Sequence, residues 1–537
     1  MISAIIIALY FIGMLILIYA TKLNRAVLAL GGAIITFILL ITIDKVNTIP
    51  GNEDFLIRLI LGQGYQNLYA IVLILGLLFI IQICHMAGVF QFFAFKLIQM
   101  TGGKPFRVFI SFCFLALVLS AFLNSLVAVI ILIPLTIVVS RILGIDPSPY
   151  IVSEAILVNV GSLLFSISSL PNMLISTYAG ITFAEFFIHV GLYALVIFVI
   201  TFIFVQLYYR KKLNAPKEKT IANLLEFNAW NYVSNRNFFY KSIIILVAVL
   251  ICFIVLPPTF TFFGFPPDFI SPGIIAMTGA MVLAVISRLD GKTIIQKIDF
   301  ELLLYLFGIF IMVSAMEYTG SIGILGSGIA YLSSYNEYLA VILIVWLSAF
   351  LCTSFDNLPI TSALIPVVSD VSVMEHMTTN SAYYSLAFGV NLGTTLLVRG
   401  ENESALKIAA QNERPIKVRQ FRKLAFVAMV LQLTAVTIYF LMIYDHIIGL
   451  FTIFISILVI LFSVFFRYMT TSFKTEEKLL FSRVLRKVKN PRYRRKKKLI
   501  FQEFSKKFFR PNLIRDRRPI IQTILRNIKR FLEELSR

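Results

Sequence analysis

The chain has 537 residues, 59% of them hydrophobic and only 14% charged, with a mean hydropathy of +0.89. Soluble proteins average about 45–50% apolar and about 25% charged, and one water-soluble core of this size has no room for fifty Phe, so a cytosolic enzyme is excluded. The net charge of +21 is local: residues 467–537 hold 23 Lys+Arg against 6 Asp+Glu, so the basicity belongs to an appendage.

Apolar runs able to cross about 30 Å of hydrocarbon lie near 2–20, 26–44, 69–90, 150–176, 187–209, 242–257, 271–288, 301–317, 382–404, 421–443 and 447–466. The first has no basic leader and is followed by Lys22 and Arg25, the pattern of a span with its N-terminus outside. Two longer apolar segments, 105–141 and 337–371, are broken midway by Asn124-Ser125 and by Asp356-Asn357-Leu358-Pro359. Each reads as two crossings or as a re-entrant hairpin. With hairpins, eleven crossings put 45 Lys+Arg inside and only Lys45 and Arg58 outside, with Arg399 within a span, as the positive-inside rule requires. Two full crossings per segment would keep the parity, so the count sets the orientation alone. The tail is then cytoplasmic and the membrane is taken to be the cell membrane.

The second half repeats the first at an offset of 232 residues. Gly76 meets Gly308, Gly88 meets Gly320, Asn124-Ser125 meets Asp356-Asn357, Pro134 meets Pro366, and Asn159-Val-Gly-Ser162 meets Asn391-Leu-Gly-Thr394. Five crossings per copy invert the second relative to the first. Inverted repeats with polar breaks near mid-membrane build secondary transporters, because unpaired backbone at that depth is tolerated only where it lines a cavity or is buried in protein. The competing reading of Asn124-Ser125 is glue between helices, and of Gly-Ser or Gly-Thr a close helix contact. Recurrence in both halves favours a transport site.

Cys84, Cys113, Cys252, Cys352 and the four His show no ligand spacing, so neither a metal centre nor an enzyme is expected, and no GxxxxGK[ST] points to ATP drive. The predicted fold is an all-α polytopic membrane protein of about eleven transmembrane helices. It holds repeat one over 1–209 with hairpin 105–141, a cytoplasmic linker over 210–241, repeat two over 242–443 with hairpin 337–371, an extra helix over 444–466 and the tail over 467–537.

Ser120-Ala-Phe-Leu-Asn-Ser-Leu-Val-Ala-Val-Ile-Ile-Leu-Ile-Pro134, Asn159-Val-Gly-Ser162, Leu170-Pro-Asn-Met173, Ala179-Gly-Ile-Thr-Phe183, Asp356-Asn-Leu-Pro-Ile-Thr-Ser-Ala-Leu-Ile-Pro366 and Gly389-Val-Asn-Leu-Gly393 resemble the ion-transporter superfamily. That group includes arsenite/antimonite permeases, citrate and dicarboxylate symporters, sodium/proton antiporters and the melanosomal P protein. The resemblance spans roughly residues 26–443. It implies that Asn124 and Ser125 form one hairpin tip and Asp356 and Asn357 the other. Asn159, Gly161, Ser162, Pro171 and Asn172 would line the first break, and Asn391, Gly393, Thr394 and Thr395 the second. It also implies a homodimer with an elevator-like transport domain. The chain departs from the family at Asn124-Ser125 (commonly Asp-Asn), at Gly161-Ser-Leu-Leu, at Ser168-Ser-Leu-Pro-Asn172 and at Arg399-Gly-Glu-Asn-Glu403, and reads as a divergent member.

Asp356 is the one acid at a predicted tip and is read as a proton- or Na+-coupling group, against a fixed ion pair with Arg399. Arg399 is read as an anion ligand, against snorkelling from its helix end. Asn124, Ser125, Asp356, Asn357, Thr394 and Thr395 supply the hard oxygens a Na+ site needs. The expected function is secondary active transport of a small inorganic or organic ion, an anion (oxyanion or carboxylate) foremost, coupled to Na+ or H+. A sodium/proton antiporter is the alternative within the class, and a transport-inactive membrane protein acting through its tail the alternative outside it. In the tail, Arg492-Tyr-Arg-Arg-Lys-Lys-Lys498 precedes a run with Ile520, Ile521, Ile524, Leu525, Ile528, Phe531, Leu532 and Leu535 at helical spacing, which suits anionic lipid rather than nucleic acid.

Overall fold

Hydrocarbon offers backbone N–H and C=O groups no water, so a chain of this composition crosses it as helix. A computed structural model describes most of residues 2–452. Outside it lie 45–58, 63–64, 102–104, 214–229, 231–232, 265–270, 289–290, 334–335, 398–399 and 453–537, and positions 1, 22, 100, 234, 297, 378, 413 and 451. The basic tail, most of the 447–466 span, most of the linker and Arg399 therefore fall outside the described residues.

The first half runs α1 (Ile2–Ala20), α2 (Arg25–Asp44), α3 (Gln66–Met86) and α4 (Val89–Gln99), then a hairpin of α5 (Pro105–Phe122) and α6 (Ser125–Leu143). The 150–176 run is a broken helix, α7 (Ser148–Gly161) and α8 (Leu170–Ala179). Short α9 (Phe183–Phe186), a π-helical turn (Phe187–Gly191) and α10 (Leu192–Leu213) close this half. The second half runs α11 (Arg236–Phe262), α12 (Pro272–Ser287), α13 (Gly291–Ile295), α14 (Phe300–Tyr318) and α15 (Ser321–Leu332). A hairpin of α16 (Glu337–Cys352) and α17 (Asn357–Met374), a broken pair α18 (Ser381–Gly393) and α19 (Glu401–Gln411), and α20 (Val418–Tyr444) follow. Ten described helices are long and apolar enough to span a bilayer. That set includes the hairpin arms α5, α6 and α17 and omits the halves of both broken helices, so length alone does not return the eleven crossings.

From α3 to α8 and from α14 to α19 the two halves share one order of elements, each start displaced by the sequence offset to within two residues. They interlock rather than sit side by side. Helix α2 packs on α14 and α3 on α12. The offset glycines make both crossings possible: a Cβ on Gly76 would press on the Ala276–Met277 backbone, and one on Gly308 on the Ala29–Leu30 backbone. The hairpins interlock likewise, with α6 against α19 and α17 against α8. The second arm of each hairpin thus meets the broken helix of the opposite half, and the breaks lie where the halves join.

Candidate functional site

Both hairpin tips are helix starts. Asn124 is non-helical (φ −54°, ψ 140°) and its Oδ1 accepts from Leu126 N at 3.0 Å, so the side-chain oxygen caps α6. Its hard oxygen is thereby engaged within its own helix. Ser125 and Asn357 are the half-buried first residues of α6 and α17.

Asp356 holds the matching cap position of α17 (φ −61°, ψ 142°), where the helix N-terminus favours negative charge. Its described cationic partner is Arg25 at the start of α2, Nη1 to Oδ2 4.0 Å. The same guanidinium reaches Asp299 at 4.0 Å and Glu301 at 3.7 Å, and lies over the Tyr305 ring at 5.6 Å. One cation thus stands among three half-exposed carboxylates. For Asp356 the sequence offers a fixed ion pair with Arg399 only as the alternative to ion coupling. Arg399 lies outside the described residues, and the ion pair that Asp356 makes is with Arg25, which in the sequence reads only as an inside-loop charge.

At the breaks the last carbonyls of each leading half-helix need donors. Ser169 (φ −141°, ψ 150°) caps α8 through its Oγ, which accepts from Asn172 N at 3.3 Å, and Pro171 occupies the first turn. Asn172 Nδ2 then reaches back to Ser162 O at 2.8 Å and Phe165 O at 3.4 Å. In the other half Asn402 Nδ2 donates to Thr394 O at 3.0 Å, Leu397 O at 2.8 Å and Thr395 O at 3.4 Å. Ser162 and Thr394 are offset partners, as are Phe165 and Leu397, so two asparagines close the same carbonyls in the two halves. Asn402 was missed in the sequence because it stands two positions out of register with Asn172 and inside a charged run read as a departure.

Asn391 joins the two breaks. Its Nδ2 donates to Asn172 Oδ1 and to Ala387 O, both at 2.7 Å. Its Oδ1 accepts from Ser162 Oγ at 3.2 Å, a hydroxyl that also donates to Asn159 O at 2.7 Å. Thr394 Oγ1 donates to Asn391 O at 2.6 Å, and Asn159 Nδ2 to Ala155 O at 3.4 Å. All of these side chains are buried. Two buried oxygens at the second break, Thr395 Oγ1 and Asn402 Oδ1, have no hydrogen-bond partner. Neutral oxygens of this kind are among the groups a hard cation takes as ligands.

Gly161 and Gly393 serve packing. A Cβ on Gly161 would overlap Ser120 Oγ and come within 2.7 Å of Leu117 O, and one on Gly393 would overlap Ala349 O. Leu117 and Ala349 are themselves offset partners, so the broken helix of each half lies on its hairpin arm through a glycine at the same offset position. A cavity lies between α3, α8, α14 and α17, where Gln66, Asn67, Ser314 and Glu317 line it together with the apolar Leu174 and Phe310.

The sequence profile of the citrate transporter family, CitMHS, matches residues 15–389 and 270–500. The chain belongs to the citrate transporter family. It is a membrane transporter, and its relatives agree. A 46 kDa membrane protein of Mycobacterium leprae is 25% identical over 427 residues, covering 79% of this chain and 95% of that protein. An uncharacterized transporter of Mycobacterium tuberculosis is 27% identical over 395 residues, covering 73% and 89%. The human P protein is 24% identical over 440 residues, 69% of this chain and about half (52%) of that longer protein. Among solved structures, the Alcanivorax borkumensis YdaH transporter has the same fold, with a TM-score of 0.54 at 16% identity, over 73% of this chain and 88% of that one.

Proposed function

We propose that this family member is a secondary active transporter of a small ion, foremost an oxyanion or carboxylate. Na+ or H+ would be the coupling ion, and the ions would bind between the two hairpin tips and the two broken helices. The observation that carries this reading is the Asn391–Ser162–Asn172 junction, which ties two broken helices of opposite halves at the point where both expose helix ends. In this reading the repeats are inverted, the N-terminus is outside and the tail is inside. The hairpin-bearing helices would move as an elevator against a homodimeric frame of α1–α4 and α11–α15. Asp356 with Thr395 Oγ1 and Asn402 Oδ1 would take the coupling cation, and Arg399 the anion. The tail would rest on anionic lipid, a contact that flotation of liposomes with and without anionic lipid measures on the full chain.

The sodium/proton antiporter is the second reading. It is favoured by one feature: the described site offers carboxylate and neutral oxygens, ligands for a cation.

Thermal stability of the purified protein in Na+ against K+, across a panel of oxyanions and carboxylates, separates the readings. A ligand at a hundredfold its Kd stabilises by about 2.7 kcal/mol. Stabilisation by an anion, larger in Na+, supports the symporter, and a response to Na+ or pH alone supports the antiporter. Silence throughout, with no gradient-driven flux in proteoliposomes, returns a transport-inactive protein. Asp356→Asn should abolish gradient-driven uptake, and an unchanged rate removes Asp356 from coupling.

A further inference from the structure

We propose that Glu154, in the middle of α7, is a proton-binding site of the transporter, separate from the tips and the breaks. Glu154 is wholly buried. Its Oε1 accepts from Thr136 Oγ1 on hairpin arm α6 at 2.6 Å, while Oε2 is buried with no hydrogen-bond partner. Helix α7 packs on α5, α6, α10, α18, α19 and α20. The titratable groups that face the carboxyl are the Cys113 thiol from α5 and the Tyr150 phenol one turn earlier on α7. Among the described residues no basic side chain of the packed helices forms an ion pair with Glu154. Arg141 of α6 donates to Asn412 O, Lys212 of α10 pairs with Asp146, and Lys407 of α19 pairs with Glu403. An ionised carboxylate held by one hydroxyl, with no cation beside it, costs several kcal/mol at this depth. The carboxyl therefore carries its proton in this conformation.

The second half of the chain supplies the comparison that separates function from packing. At the 232-residue offset Thr136 and Glu154 correspond to Val368 and Leu386, both buried, on α17 and α18, which pack together as α6 and α7 do. Cys113 and Tyr150 correspond to Val345 and Ala382, also buried. The fold thus fills this position with an apolar pair in one half and an acid with its hydroxyl donor in the other. Packing asks for no carboxyl there. Glu154 lies eight residues before Ser162 on the same helix, about 12 Å at 1.5 Å per residue, close enough for its charge to be felt where the ions would bind. Loss of its proton would add a negative charge behind the first break and favour a cation there.

The inference rests on the transporter reading for its use but not for its test. The carboxyl C=O vibration of the purified full-length protein, followed by infrared difference spectroscopy from about pH 5 to about pH 9, reports protonation whether or not anything is transported. Glu154→Gln should remove a protonated-carboxyl signal that diminishes as pH rises, Thr136→Val should displace its midpoint, and Asp356→Asn should leave it in place. Glu154→Leu, copying the other half, should fold. In proteoliposomes Glu154→Gln should flatten the pH profile of flux. A Glu154-dependent signal that is constant over the whole range, or no such signal at all, overturns the proposal. A titrating signal without gradient-driven flux would sink the transport reading and leave the proton site standing.

Discussion

Replacement of Asn391 by alanine tests the junction on which the site is built. Asn391 makes three side-chain hydrogen bonds, to Asn172, Ala387 and Ser162. Ser162 Oγ keeps an acceptor in Asn159 O, so its loss is modest. Asn172 Oδ1 is left without its donor, and Asn172 is fully buried. One orphaned buried acceptor costs about 1–3 kcal/mol and each net bond about 1 kcal/mol, so Asn391→Ala should destabilise by about 2–4 kcal/mol. The decisive number is the coupling to Asn172. In the double variant with Asn172→Ala no acceptor is left behind, so the combined loss should fall short of the sum by about 1–3 kcal/mol. The cost of freeing Ser162 O and Phe165 O appears in both arms of the cycle and cancels. Chemical or thermal unfolding of the purified variants in one detergent measures it. Additivity within about 0.5 kcal/mol would show that the halves are not joined by this bond.

Three further outcomes follow from the same geometry. Arg25→Gln leaves Asp299, Glu301 and Asp356 without their shared cation; if Asp356 takes Na+, losing a competitor worth about 1 kcal/mol should tighten Na+ binding roughly fivefold in a titration of thermal stability, and an unchanged midpoint takes Arg25 away from the site. Gly161→Ala and Gly393→Ala should each cost about 1–3 kcal/mol by overpacking, whereas Gly31→Ala, with nothing within 4 Å of its new Cβ, should be neutral or gain up to about 1 kcal/mol; equal unfolding temperatures would contradict the packing. Asp146, in the loop before α7, feels burial that raises its pKa, but the Ser148 hydroxyl and N–H and the Lys212 ammonium prevail and hold it below the ordinary carboxylate value. Its stabilisation is therefore complete above about pH 4 and lost as pH falls through the lower folded value, so Asp146→Asn should be less sensitive than the parent to acid unfolding in that window, and identical acid limbs would refute the assignment.

Much of the fold is legible in the sequence because hydrocarbon leaves little choice. Apolar length marks the helices, and a polar interruption in an apolar run marks a hairpin tip or a break; Asn124, Asp356, Ser162 and Thr394 all fall where the 232-residue offset placed them. Gly161 and Gly393 were legible as positions but ambiguous as chemistry, since a site glycine and a packing glycine look alike until Leu117 and Ala349 are found against them. What the sequence hid are partners at long range. Arg25 is more than three hundred residues from Asp356 and reads as an inside-loop charge. Asn402 answers Asn172 only through backbone geometry, because the second loop re-enters its helix one position earlier and Asn402 is the second residue of that helix where Asn172 is the third. Glu154 sits in an apolar run with no polar break to draw attention, and only its burial without a cation sets it apart.

The two halves divide the labour between symmetry and departure from it. Where the offset matches like with like, as at Gly76 and Gly308, Gly161 and Gly393, or Asn159 and Asn391, the residues hold the frame: close crossings, closed carbonyls, the central junction. Charge enters where the match fails. Asp356 stands opposite Asn124, and Glu154 opposite Leu386, so each half places a carboxyl where the other has a neutral side chain. A pseudo-symmetric frame can exchange the roles of its halves as it alternates, and its two faces would then be equivalent. An acid in one half alone removes that equivalence, because a carboxylate at a hairpin tip and a protonated carboxyl behind a break respond to different ions. If the response to pH arises in this way, making the halves alike at Glu154 should remove it without unfolding the protein. The pair Glu154→Leu with Thr136→Val, which copies Leu386 and Val368, should leave a folded carrier that still exchanges substrate across the membrane and no longer responds to pH. Exchange that keeps the parent pH profile in that variant would place the asymmetry elsewhere.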